Sequence, residues 1–326
     1  DTMKRLCTIV LTLLTVYGTA DAQSVAELVG RCIEHLKAGD SVAFRQTYPQ
    51  LFMRYIAETS DVGMDNSIRR GDLSAVQAAL DSLTTDPESD IEAYYYLSDS
   101  SYHHFLRGTS LRGKYDRWID SVKSAPYAAL RDEIWQMQRV DQGARILYLN
   151  RPKETPDSIW NKIRNEILLI DEQNTLRATQ IIDSFGRWPG RDVLGYSADL
   201  TLWLCIQHAD QRPEVALRYL PMLKAAVDER RTDPMHYAYL VDRIRMHEGR
   251  EQVYGTQTYR AKTDDGGTFF FVIPIEDVDH VDERRAAMGM EPLAEYVESM
   301  NAHWDPVQYK KDLPKIWEYY KRLRSK

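Results

Sequence analysis

The chain has 326 residues, a formal net charge of −7 and 43% hydrophobic residues, enough apolar content for two domains or one large helical array. Its 49 acidic residues outnumber the 42 basic ones, which disfavours nucleic acid as a partner. Three cysteines are too few for a disulfide scaffold or a four-thiolate zinc site.

The first segment, 1–22, reads as an export signal. Lys4 and Arg5 form a positive start, Leu6 to Tyr17 a short apolar run, and Ala20-Asp21-Ala22 a small-residue site with cleavage expected after Ala22. The expected address is periplasmic or extracellular. No later run approaches the roughly 18 apolar residues that suggest a membrane span, so none is expected after cleavage. Cys32 and Cys205 lie in apolar helical patterns and are expected as buried thiols, with a disulfide between them as the alternative.

Residues 23–125 read as helical hairpins. Val25, Leu28, Val29, Cys32, Ile33 and Leu36 recur at spacings of three and four, which makes one apolar stripe on a helix. Gly39-Asp40 then offers a left-handed stop followed by a cap, and Gly71-Asp72 repeats that signal. A looser third turn is expected at Arg112-Gly113-Lys114-Tyr115. Helix–turn–helix units at such a period resemble tetratricopeptide-type arrays, a likeness that implies a surface for a protein or peptide partner. A plain helical bundle is the alternative. The aromatic run Tyr94 to Phe105 carries His103 and His104, which as neighbours point about 100° apart on a helix and are read as packing residues.

Residues 126–301 read as an α-rich domain containing one β-hairpin. Helices are expected over Tyr127 to Tyr148 and Ser158 to Phe185, the second broken by Gly186 to Gly190. Leu200 to Ile206 is apolar on every side, as in a helix buried in a domain centre, and it delivers the polar string Gln207-His208-Ala209-Asp210. Amphipathic helices follow over Pro213 to Val227 and Tyr237 to His247. Two β-rich runs, Gln252 to Tyr259 and Thr268 to Ile273, flank Asp264-Asp265-Gly266-Gly267 and predict a hairpin. Residues 302–326 form a basic carboxy-terminal helix, with Leu313, Ile316, Trp317, Tyr320 and Leu323 on one side.

Several strings in this second region stand out in order. They are Asp141-Gln142-x-x-Arg145, Trp188-Pro189-Gly190, Gln207-His208-Ala209-Asp210 and Leu220-Pro221-Met222-Leu223. Ala238-Tyr239-Leu240-Val241-Asp242-Arg243, Gly249-x-x-Gln252-x-Tyr254-Gly255-Thr256-Gln257 and Arg284-Arg285-x-x-x-Gly289 follow. Together, over about Leu130 to Tyr296, they resemble a bacterial family of uncharacterised domains. One departure is Arg187, which stands where glycine would meet tryptophan directly. The resemblance implies positions and no reaction.

Metal, phosphate-loop and nucleophile motifs are absent from the sequence, so no metal or cofactor is expected. The polar strings instead nominate one site. His208 is the candidate general acid or base, oriented by Asp141 or Asp242. Gln142, Arg145, Trp188, Gln207, Arg243, Tyr254, Gln257, Arg284 and Arg285 are candidate ligand contacts, with arginines and amides suited to a small polar or anionic ligand. Three functions follow from this set. A ligand- or partner-binding module of the bacterial envelope ranks first, because no nucleophile is visible. An envelope hydrolase or transferase using His208 is the second, and a purely structural polar network with no ligand the third.

Overall fold

The computed structural model describes residues 24–59, 71–85, 109–263 and 266–324. The export segment, the Tyr94 to Phe105 aromatic run and the Asp264-Asp265 hairpin tip lie outside them. The described residues are mainly helical with one antiparallel strand pair, and fall into two compact units, 24–205 and 206–324.

The first unit opens with α1 (Val25–Ala38), started by a reciprocal cap. Ser24 Oγ accepts from Glu27 N–H at 3.2 Å while Glu27 accepts from Ser24 N–H at 2.7 Å. Gly39, at φ +75°, ends it, and Asp40 caps α2 (Ser41–Thr59) through Ala43 N–H at 2.9 Å. The same device recurs before α3 (Leu73–Thr85): Gly71 has φ +66° and Asp72 accepts from Ala75 N–H at 3.1 Å. The third expected turn is displaced. Arg112 to Tyr115 is the first turn of α4 (Arg112–Ser124), and the chain bends just before it, at 109–111. A glycine in a first helical turn costs little, so Gly113 does not by itself stop a helix there.

Helices α5 (Ala128–Asn150) and α6 (Asp157–Phe185) pack on each other and on the α1–α2 hairpin. Their shared core joins the α1 stripe to Phe44, Leu51 and Phe52 of α2 and to Trp135, Leu147, Ile163 and Ile170. That core draws on residues on both sides of Pro126. Gly143 is where α2 meets α5 most closely, since a Cβ there would overlap the Tyr48 carbonyl and stand 3.0 Å from Pro49 Cα. After the stop at Gly186 (φ +63°) come the single turn α7 (Arg191–Leu194) and α8 (Tyr196–Gln207). Every residue of α8 except Leu204 is buried, including the polar Ser197, Asp199, Thr201 and Gln207. Cys32 and Cys205 are both free and buried; burial pushes the Cys32 thiol up to about 12, against the lowering effect of Arg31.

The second unit begins with α9 (Pro213–Asp228) packed on α10 (Pro234–Glu248). Asp233 caps α10 by accepting from Met235 N–H at 2.9 Å, Pro234 opens it, and Gly249 at φ +75° closes it. Strands β1 (Thr258–Lys262) and β2 (Thr268–Val272) pair antiparallel, with Thr258 opposite Val272 and Lys262 opposite Thr268. The first strand is therefore shorter than expected: residues 252–257 are not part of it. Most of their backbone groups bond to side chains such as those of Asp242, Gln252 and Arg285, apart from the Gln252–Ile275 bridge and the Gln257 carbonyl, which accepts from Ile273 N–H at 3.0 Å.

A 3-10 turn (Val278–His280) leads to α11 (Val281–Ala287), α12 (Leu293–Ser299) and α13 (Pro306–Arg324). The last helix starts at Pro306, four residues into the expected 302–326 segment, because Asp305 caps it through Val307 and Gln308 N–H at 2.8 and 3.1 Å. Its Tyr309, Ile316 and Tyr320 enter a core with Phe271, Val281, Leu293 and Val297.

Candidate functional site

In the first unit the nominated residues form a tight ionic network. Arg145 donates to Asp141 Oδ1 at 2.9 Å and to Asp171 Oδ1 at 2.7 Å, while Gln142 Nε2 donates to Asp141 Oδ2 at 2.6 Å. Burial opposes the Arg145 charge, but Asp141 and Asp171 outweigh it and raise its pKa above the ordinary guanidinium value. Burial, with Asp141 adding to it, pushes the nearby Cys205 thiol well up, so that sulfur is a poor nucleophile. Trp188 is fully buried and donates Nε1–H to Asp199 at 2.7 Å, itself fully buried. Arg187 lies outside on the turn, 3.1 Å from Asp192.

In the second unit the nominated residues separate into two groups. The first is a cage around residues 252–257. The Asp242 carboxylate, fully buried, accepts from the N–H groups of Val253 (2.7 Å), Tyr254 (3.1 Å) and Thr256 (3.0 Å) and from the Thr256 hydroxyl (3.0 Å). Burial pushes this carboxyl above its usual range, although the Thr256, Val253 and Tyr254 donors all act to lower it. Gln252 donates to the carbonyls of Gln257 (2.9 Å) and Ile273 (2.7 Å) and accepts from Gln257 N–H at 2.8 Å. The Gln257 side chain donates to Thr256 Oγ1 at 2.8 Å. Arg284 donates to the carbonyls of Val253, Glu276 and Asp277. Arg285, with no exposed surface, donates to the carbonyls of Glu291 and Tyr254 and lies 4.9 Å from the Tyr296 ring centre. Backbone groups that would otherwise be orphaned in an irregular buried loop are thus satisfied by side chains.

The second group is more open. It lies just beyond the end of α8 and on the last two turns of α10. Asp210 Oδ1 is 3.1 Å from His247 Nε2 and 3.5 Å from Arg243 Nε. The Asp210 side chain is 51% exposed, and those of Arg243 and His247 are 22% and 25% exposed. Desolvation raises the Asp210 pKa, but the His247 hydrogen bond and the charges of Arg243, His247 and His208 prevail and hold it below the usual carboxylate value. Arg243 Nε is buried and makes no hydrogen bond among the described residues, and neither does Gln207 Oε1. His208 is half-buried.

Asp210 and His247 carry this group, and neither is among the residues the sequence nominates. A sequence signal existed for each. Asp210 ends the polar string after α8, and His247 lies four residues beyond Arg243, on the same helical face. What the sequence lacks is any local sign that residues 37 positions apart meet.

Residues 128–305, more than half of the chain, match a family described as of unknown function, DUF6624. The chain belongs to the DUF6624 family. No curated protein and no solved structure matches it. The matched part of the DUF6624 protein contains both polar groups of the second unit and ends at Asp305, immediately before α13.

Proposed function

We propose that this DUF6624 protein is an exported ligand- or partner-binding module of the bacterial envelope, with its ligand site at Asp210, Arg243, His247 and His208. Export rests on Lys4-Arg5, the apolar run after them and the Ala20-Asp21-Ala22 exit. The observation that carries the site is the buried Arg243 Nε–H, which makes no hydrogen bond among the described residues and stands 3.5 Å from the half-exposed Asp210 carboxylate. An unsatisfied buried donor costs roughly 1–3 kcal/mol, which a ligand oxygen would recover. With Asp210 neutralised by its neighbours, a guanidinium and two imidazoles suit a small anion, either carboxylate or phosphate. The cage residues Asp242, Arg284 and Arg285 then support the fold, since they bind the backbone of residues 253–256, and Tyr254 and Gln257 belong to the loop they hold. A protein or peptide partner at the amino-terminal hairpins belongs to the same proposal, supported by the repeated Gly39 and Gly71 turns.

A second reading is favoured by the His247–Asp210 hydrogen bond. A carboxylate that orients an imidazole is the arrangement a general acid or base needs, so an envelope hydrolase or transferase using His208 or His247 is the alternative.

Thermal denaturation with inorganic phosphate and with succinate tests the site. A ligand at 100 times its Kd stabilises the native state by about 2.7 kcal/mol. A saturable rise in Tm that Arg243→Gln abolishes and Arg260→Gln leaves intact is the expected result. No rise with either anion, or a rise that survives Arg243→Gln, rejects it.

A further inference from the structure

The last helix reaches back to the site. Tyr320 Oη donates to the Met246 carbonyl at 2.6 Å, and Arg324 donates to the His247 carbonyl at 3.1 Å. Both acceptors belong to the final turn of α10, whose carbonyls carry its partial negative charge; that of Met246 also accepts from Gly249 N–H at 3.0 Å. The fit around Arg324 is close: a Cβ on Gly249 would overlap its guanidinium, so glycine at that stop leaves room for the arginine as well as allowing φ +75°. Tyr320 is buried among the core residues of the second unit, so the helix that carries both groups is fixed there. The two donors, Tyr320 and Arg324, lie outside the part of the chain that matches the family, which ends at residue 305, while the carbonyls they hold lie inside it.

We infer that Tyr320 and Arg324 are positioning residues: α13 clamps the end of α10 and so sets where His247 and Arg243 stand against Asp210. The inference rests on the ligand site proposed above, and it concerns how that site is held. His247 carries the clamped carbonyl on its own backbone, and Arg243 lies one turn earlier on the same helix. A helix end tied at two successive carbonyls resists fraying, and fraying would change the imidazole's distance from the carboxylate before it changed any core contact.

The test uses the full chain with Arg324→Ala, Tyr320→Phe, the conservative Arg324→Lys, and Lys321→Ala as a control on the same helix. The histidine-ring NMR signal of His247 and the hydrogen exchange of amides 245–249 are read without ligand, and phosphate affinity is read by titration. In Arg324→Ala and Tyr320→Phe the His247 signal moves and exchange at 245–249 speeds up. Phosphate affinity falls about fivefold, as loss of one hydrogen bond of about 1 kcal/mol implies. Arg324→Lys recovers much of each change, and Lys321→Ala makes none. An unmoved His247 signal with unchanged exchange in Arg324→Ala overturns the clamp, whatever phosphate does. If the signal and the exchange respond but phosphate binds no variant, the clamp stands and the anion reading falls.

Discussion

Gly143 and Asp210 illustrate two kinds of residue in this chain, one defined by space and the other by charge. At Gly143 a single added carbon has no room, because it would overlap the backbone oxygen of Tyr48 and no flexible side chain is there to yield. Gly143→Ala is therefore expected to destabilise the chain by about 1–3 kcal/mol despite its better helix propensity, measurable as a lower midpoint in urea. At Asp210 the folded pKa is depressed, so its stabilisation is present above the unfolded value and is lost as pH falls through the folded one. The difference in Tm between wild type and Asp210→Asn should be largest at about pH 5–6 and close progressively below about pH 4. A difference that widens in acid would mean that His247 and Arg243 do not hold the carboxylate.

At the scale of elements, helix ends are written locally and the cage is not. Gly39, Gly71, Gly186 and Gly249 all adopt positive φ where the sequence places a stop, because a glycine after an apolar stripe needs no distant partner to do this. The run from Gln252 to Tyr259 alternates like a strand, yet six of its residues form an irregular loop held by Asp242, a residue on the preceding helix, and by Arg284 and Arg285, about thirty residues later. Propensity sees the run and misses the partners. Asp242→Ala would leave three N–H groups and one hydroxyl without their acceptor, and should cost at least about 3 kcal/mol. Amides 253–256 should lose their hydrogen-exchange protection first. Retained protection there would show that the loop is held by something other than this carboxylate.

At the scale of the whole molecule, the described chain is two helical units, and the family match covers parts of both. The α-rich class was legible from periodicity and from the single change to a β pattern near the carboxy-terminal end. The site was legible in part. The polar strings nominate His208 and Arg243 of the proposed site, while Asp210 and His247 became prominent only through a contact that spans 37 residues. The central claim is that this half-exposed Asp210 cluster, and not the buried cage, receives a ligand. Histidine-ring NMR of the full chain during titration with phosphate tests it most directly. The signals of His208 and His247 should move together and saturate, while those of His236, buried against Thr232, and His280, paired with Asp277, stay in place. If His208 and His247 stay fixed while His280 alone responds, or if no ring moves, the site is elsewhere.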